Sequence, residues 1–90
     1  MKDETIDRRQ FKKVLREKFD EGQPQANAYF RSVLLKAIGI AGGDFSAELP
    51  KHIANIGTEV LGEPQANIVI AECAVVLARQ VEQSSFWSGS

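Results

Sequence analysis

The sequence contains few of the residue types that support catalysis, cross-linking or metal binding. Cysteine, histidine and tryptophan each occur once in 90 residues, as Cys73, His52 and Trp87. A single cysteine excludes an internal disulfide and a thiolate metal cluster, and such usage is typical of a reducing compartment. No stretch reaches the roughly 18 apolar residues of a membrane span. We therefore expect a cytoplasmic protein with no cofactor, no metal and no membrane association.

The sequence also lacks an excess of charge of either sign. Its net charge at pH 7 is −1, with 26% charged and 43% hydrophobic residues. This balance is typical of an ordinary globular protein and removes the general electrostatic reason for binding nucleic acid. A chain of 90 residues is near the lower size at which a core supports folding alone, which favours stabilisation by a partner chain.

The most distinctive feature is a tetrapeptide, Pro-Gln-Ala-Asn, that occurs twice, at 24–27 and 64–67. A glycine, Gly22 or Gly62, precedes each copy by two positions, and apolar residues at helical spacing follow. Proline suits the first turn of a helix, where its missing N–H costs nothing. The pattern predicts two αα-hairpins related by an internal repeat. The tetrapeptide has two interpretations, helix-start chemistry in which Gln or Asn satisfies free N–H groups, or two paired Gln-Asn surfaces that form a binding edge.

We predict an all-α fold, a bundle of about four helices at approximately 5–20, 24–41, 50–61 and 64–83. Asp7 is the expected N-cap of the first helix, with Ile6 and Phe11 at the spacing of a hydrophobic staple. The third helix is expected to begin near Pro50, because proline disfavours α geometry at the preceding Leu49, although Ser46 is a possible earlier cap. The predicted inward positions of the first and third helices are Phe11, Val14, Leu15 and Phe19, and Leu49, Ile53, Ile56, Val60 and Leu61.

The fourth predicted helix is apolar almost all round, since Glu72 is the one polar side chain in 68–78. Such a helix is either the buried centre of a bundle or shows a second face to a partner chain, and the small size of the domain favours the partner. Arg79 is expected to pair with Glu72 across a helix face or a dimer seam. The β-branched residues of this segment leave a strand as the alternative. The predicted partner-binding residues are Val69, Glu72, Val76, Arg79, Phe86 and Trp87.

The predicted domain covers 1–83, and 84–90 is predicted to be a flexible Ser/Gly tail that carries Phe86 and Trp87. Aromatic residues in such a setting are typical interface anchors, and the alternative is that they fold back on the bundle. Gly57 lies in the middle of the third predicted helix, which indicates either close approach of a neighbouring helix or a soft spot.

Catalysis has little support in the sequence. His52 is expected on a solvated flank of the third helix, with no nucleophile or second ligand placed near it. Cys73 lies in the most apolar helix, where burial raises the pKa of a thiol and leaves it a small hydrophobic group. We therefore expect that the protein is not an enzyme, and the sequence identifies no small-molecule substrate.

We interpret the chain as a small protein-interaction or regulatory module, a homodimer that uses the apolar face of its last helix. The alternative is a nucleic-acid-binding regulator that uses the basic face of its first helix. Four basic residues lie together on that face, opposite the apolar stripe, while acidic residues at both ends of the helix weaken the field. The four are Arg9, Lys12, Lys13 and Arg16.

Overall fold

A computed structural model describes the backbone of residues 6–89 and the side chains of residues 6–80. The described chain is helical and contains no strand, so the predicted all-α bundle is confirmed and the strand alternative for the last apolar segment is wrong. The four helices in chain order are α1 (Arg8–Glu21), α2 (Gln23–Ile40), α3 (Glu48–Leu61) and α4 (Glu63–Gly89).

The predicted N-cap of α1 is confirmed. The Asp7 side chain accepts hydrogen bonds from the backbone N–H groups of Arg9 and Gln10, at 3.1 and 3.2 Å. These bonds satisfy donors that have no acceptor within the first turn, so α1 begins at Arg8 rather than near residue 5. Ile6, just before the cap, packs against the core and helps to fix the direction in which the chain enters the helix.

Two glycine corners join α1 to α2 and α3 to α4. Gly22 and Gly62 each end one helix and precede the next, with backbone φ of +154° and +93°. Each N–H donates to the carbonyl four residues earlier, and each carbonyl accepts from the tetrapeptide alanine, Ala26 at 3.2 Å or Ala66 at 3.0 Å. Positive φ favours glycine, so one residue both closes a helix and turns the chain into the next. The origin of the two halves by duplication stays a prediction.

The tetrapeptide acts locally through proline and alanine. Pro24 and Pro64 are the second residues of α2 and α4, within the first turn, as predicted. Ala26 and Ala66 are fully buried. The start of α2 carries no side-chain capping hydrogen bond, so the expectation that Gln or Asn satisfies its free N–H groups is wrong there.

The third helix begins two residues earlier than predicted, at Glu48. Pro50 is its third residue, and an N–H at that position would have no acceptor inside the helix, so the ring is accommodated with Leu49 already helical. Ser46 is not the cap: Ala47 holds that position without a side-chain hydrogen bond. Instead the Ser46 N–H and hydroxyl both donate to the Asp44 carboxylate, at 3.0 and 2.8 Å.

The core forms around α2 rather than α4. Within the described residues, α2 contacts each of the other helices, whereas α4 contacts α2 and α3 but not α1. Phe11 of α1 lies against the rings of Tyr29 and Phe30, with centroid distances of 5.7 and 6.3 Å. The buried hydrophobic residues are Phe11, Leu15, Ala26, Phe30, Leu34, Ala37, Ile38, Ile53, Leu61, Ala66, Val69 and Cys73.

Gly57 is required by the crossing of α3 over α2. A Cβ atom placed on Gly57 would overlap the ring of Phe30, so the glycine leaves the space that the aromatic ring occupies. The predicted close approach of a neighbouring helix is therefore confirmed. Ile53 and Leu61 of the predicted inward face are also buried, while Leu49, Ile56 and Val60 are only half-buried at its margin.

Phe19, predicted to lie in the inward stripe of α1, is 40% exposed. Successive steps of four residues rotate a helix by about 40°, so Phe19 lies roughly 80° away from Phe11 around the axis. Phe11 and Leu15 remain buried, and the stripe leaves the core before it reaches the last turn. The last helix extends to Gly89, beyond its predicted end near Gln83.

Candidate interaction surface

The candidate functional site is an apolar groove between α2 and α4. It has a volume of about 580 Å³ and opens on the surface of the bundle. Two of its large apolar side chains, Ile68 and Val75, are 52% and 50% exposed. We call this surface the α4 groove and define it by its lining residues, Arg31, Leu35, Ile68, Ala71, Glu72, Val75 and Val76.

The groove follows from the composition of α4 and from its place in the bundle. A helix that packs on two neighbours buries one side, and α4 buries Ala66, Val69 and Cys73 against α2 and α3. The segment that follows its first turn is apolar on its other side as well. Ile68 and Val75 lie on that other side, because steps of seven residues return to the same face of a helix.

The predicted partner-binding residues fall on three different kinds of position. Val69 is 1% exposed and belongs to the core, so its prediction as an interface residue is wrong. Val76 lines the α4 groove and is half-buried, while Glu72 and Arg79 are exposed. The side chains of Phe86 and Trp87 lie outside those described, and their predicted role stays a prediction.

Ile68 and Val75 were not among the predicted interface residues. Cys73 and Val69 mark the inward side once the burial of either is known, and Ile68 and Val75 lie roughly opposite on a helical wheel. Sequence periodicity alone does not give that phase in a helix with apolar residues on both sides.

Glu72 pairs with α2 rather than with Arg79 of its own chain. Its Oε1 atom lies 3.3 Å from a guanidinium nitrogen of Arg31, and both side chains are about half exposed. The pair links α2 and α4 at the rim of the groove. An exposed ion pair of this kind contributes roughly 0.2–1 kcal/mol, so it orients the Glu72 carboxylate more than it stabilises the fold.

Cys73 lies on the inward side of α4, where its thiol is 3.9 Å from the backbone carbonyl of Arg31. Burial raises the pKa of this thiol to about 11, the Arg31 guanidinium lowers it and the Glu72 carboxylate raises it further. The thiolate is the nucleophilic form of cysteine, so a buried thiol with a raised pKa is a poor nucleophile. The structure therefore agrees with the expectation that Cys73 behaves as a small hydrophobic residue.

His52 lies on the partly exposed flank of α3. Its Nδ1 atom contacts the guanidinium group of Arg8, and its Nε2 atom is 4.0 Å from the Glu48 carboxylate. No group of three or more His, Cys, Asp or Glu side chains suited to a metal ion occurs within the part of the chain that the structure describes.

The basic face of α1 forms a separate, mixed-charge surface. The four predicted basic residues line one shallow depression, but Glu17 and Asp20 line it too. Lys12 also lies 3.1 Å from the Glu59 carboxylate of α3. These three acidic groups oppose the field that would attract a phosphate backbone, and the nucleic-acid interface stays a prediction.

In comparisons with protein-family models, curated proteins and solved structures, the chain matches none. Of the helices in the described residues, none combines the length and the apolar character that a membrane crossing requires.

Proposed function

We propose that the protein is a small non-enzymatic interaction module that forms a homodimer through the α4 groove and acts as a regulatory or adaptor unit. The observation that carries this proposal is the exposure of Ile68 and Val75, about half of each side chain, on an open apolar groove. Solvent-exposed apolar surface of this kind is a common mark of a protein–protein interface.

The energetics of a short chain also support self-association. A domain of this size buries a limited fraction of its surface, so its stability is modest and rises when a partner binds the folded state. Burying apolar surface gains about 25 cal/mol per Å², and half of each of two large side chains is available on α4.

A second copy of the chain is the partner that we propose, because the rim of the groove carries charges of both signs. Arg31 and Glu72 lie on the groove itself, and Arg79 lies one turn beyond Val75 on the same helix. A patch that contains both signs can be complementary to itself across a twofold axis. A cytoplasmic location belongs to the proposal, since Cys73 is a free thiol.

The proposal is tested by the molecular mass in solution. Light scattering at micromolar concentration is expected to give twice the 9.9 kDa chain mass. Val75→Lys is expected to weaken the dimer at least about thirtyfold, the effect of losing about 2 kcal/mol at a central interface residue. The chain itself should stay folded, because Val75 is half exposed.

Ala74→Lys is the matched control for this substitution. Ala74 is exposed on α4 but lies about 100° around the helix from Val75, away from the groove. It introduces the same charge into the same helix, so the dimer should survive it. A monomer at all accessible concentrations, or equal effects of the two substitutions, would contradict the proposal.

A further inference from the structure

Charged residues of both signs flank the exposed apolar residues of α4. We infer that the homodimer is antiparallel, with its twofold axis near Val75 and Val76 and with Glu72 of each chain against Arg79 of the partner subunit. The inference rests on the proposed function and deepens it, since it assigns the orientation and the polar contacts of the same surface.

The four residues that form the seam lie on one side of α4. Ile68, Glu72, Val75 and Arg79 follow one another at steps of four, three and four residues. At about 100° per residue, these positions fall within an arc of roughly 60° on the helix surface. All four are exposed, so the stripe already faces outward in the single chain.

The two charged residues of the seam lie on either side of its apolar centre. Glu72 and Arg79 are seven residues apart, and the midpoint between them falls between Val75 and Val76. A twofold axis at this midpoint brings each Glu72 opposite Arg79 of the partner subunit, so two attractive pairs form around an apolar centre. A parallel arrangement brings Glu72 against its own copy and Arg79 against its own copy, and like charges across an interface are unfavourable.

The Glu72 carboxylate is already oriented in the single chain. Its Oε1 atom accepts from Arg31, which fixes the carboxylate at the rim of the groove. An ionised carboxylate accepts at both oxygens, so Oε2 serves as the acceptor for Arg79 of the partner subunit. Arg31 thus positions the acid, and the contact across the seam adds a second donor without breaking the first.

The centre of the seam suits close packing of two helices. Val75 is the residue of the stripe nearest to the twofold axis. Ala71 and Ala78 are exposed and lie one turn before it and one turn after it. Small side chains at these two positions let the helix axes approach, so that Val75 and Val76 of the two chains exclude water from the centre.

Charge reversal tests the orientation. Arg79→Glu alone and Glu72→Arg alone each place like charges across both halves of an antiparallel seam, and each should raise the dimer dissociation constant at least about tenfold. An equimolar mixture of the two variants should restore association, because the heterodimer regains two attractive pairs. In a parallel dimer Arg79→Glu exchanges one like-charge contact for another and changes little.

Lys51→Glu is the matched control, since it makes the same charge reversal as Arg79→Glu at an exposed position of α3 and leaves both charges of the seam. Its dissociation constant should stay within about threefold of that of the unmodified chain, because a single exposed charge away from the interface contributes little. Sedimentation equilibrium measures all of these constants, and far-UV circular dichroism confirms that each variant is folded.

Disulfide trapping gives an independent result. In the antiparallel dimer the two copies of residue 75 meet near the axis, so Val75→Cys should cross-link under mild oxidation. The two copies of residue 68 would lie about 22 Å apart along the axis, too far for the roughly 7 Å Cα separation of a disulfide, so Ile68→Cys should not. The unmodified chain, with its buried Cys73, is the background.

The outcomes separate the two proposals. An unmodified chain that is always monomeric overturns the proposed function itself. A dimer that tolerates Arg79→Glu, or that cross-links through Ile68→Cys, overturns the antiparallel arrangement and leaves the dimer standing. Loss of association in both charge variants, with recovery in their mixture, supports the arrangement.

Discussion

The two helices that follow the glycine corners, α2 and α4, begin alike and end in different surroundings. Both have proline as their second residue and a buried alanine two positions later. α2 is covered by three helices and α4 by two. The exposed residues of α2 after its first turn are Ala28, Arg31, Ser32, Lys36 and Gly39, whereas those of α4 include Ile68, Ala71, Val75 and Ala78.

The comparison shows that a repeated helix start does not determine what the rest of the helix is for. The exposed positions of α2 after its first turn carry small or polar side chains, as expected for the centre of a bundle. α4 occupies a less covered position and yet keeps large apolar residues outside. The two helices therefore differ in the residues at their outward-facing positions. The large apolar residues at those positions of α4 are the physical reason for placing the interface there.

The largest expected difference is between truncating a side chain on the inner side of α2 and truncating one on the outer side of α4. Phe30→Ala should lower the free energy of unfolding by about 3–5 kcal/mol, because the ring is fully buried and leaves a cavity. Val75→Ala should change it by at most about 0.5 kcal/mol under conditions in which the chain is monomeric. Urea unfolding followed by circular dichroism measures both, and equal losses would show that α4 has no distinct outer face.

A second, smaller effect is expected from replacing two helical glycines, Gly57 of α3 and Gly39 of α2. Gly57→Ala should destabilise the protein by about 1–3 kcal/mol, because the new methyl group overlaps the Phe30 ring. Gly39→Ala is the matched control. No atom would lie within 4 Å of its Cβ, so the gain in helix propensity should stabilise α2 by roughly 0.5–1 kcal/mol.

Opposite signs for the two glycine substitutions would confirm that α3 crosses α2 at Gly57. Thermal unfolding at one protein concentration is sufficient to show the sign. A Gly57→Ala variant that is as stable as the unmodified chain would mean that Phe30 moves aside at little cost, and that the crossing does not depend on glycine.

The features that the sequence predicted well are those that depend on neighbouring residues. The Asp7 cap, the glycine corners and the two proline starts each involve a few consecutive residues whose hydrogen bonds or backbone angles are determined locally. Gly57 was predictable for a different reason: glycine in a helix interior costs about 1 kcal/mol relative to alanine, so its presence there indicates the close approach of a neighbouring helix.

The features that it predicted poorly depend on tertiary placement. Val69 and Ile68 are adjacent and both apolar, and only the contacts of α4 with α2 and α3 bury one and expose the other. Glu72 pairs with Arg31, which is 41 residues away in the sequence, and no spacing rule within a helix indicates that contact. The apolar excess of α4 was evident from the sequence, but the side on which it would be exposed was not.

The smallest expected effect concerns the ionisation of Cys73, which lies on the inner side of α4. Burial raises the pKa of this thiol from 9.0 to about 11, so the folded state holds the proton that the unfolded chain releases near pH 9. This contribution to stability is present below about pH 9 and is lost as the pH rises towards about 11. Cys73→Ala removes the thiol and with it this part of the pH dependence, while Tyr29 is present in both chains.

The difference in unfolding free energy between the two chains, measured from pH 8 to pH 11, isolates the thiol from all other groups. We expect the unmodified chain to lose its advantage over Cys73→Ala as the pH rises through this window. In the Cys73→Ala background, a Val75→Cys thiol on the outer side should show no such loss at concentrations at which the chain is monomeric, because a half-exposed residue keeps its contact with water. A difference that stays constant across the window would mean that water reaches Cys73, and that α4 is not packed against α2 on its inner side.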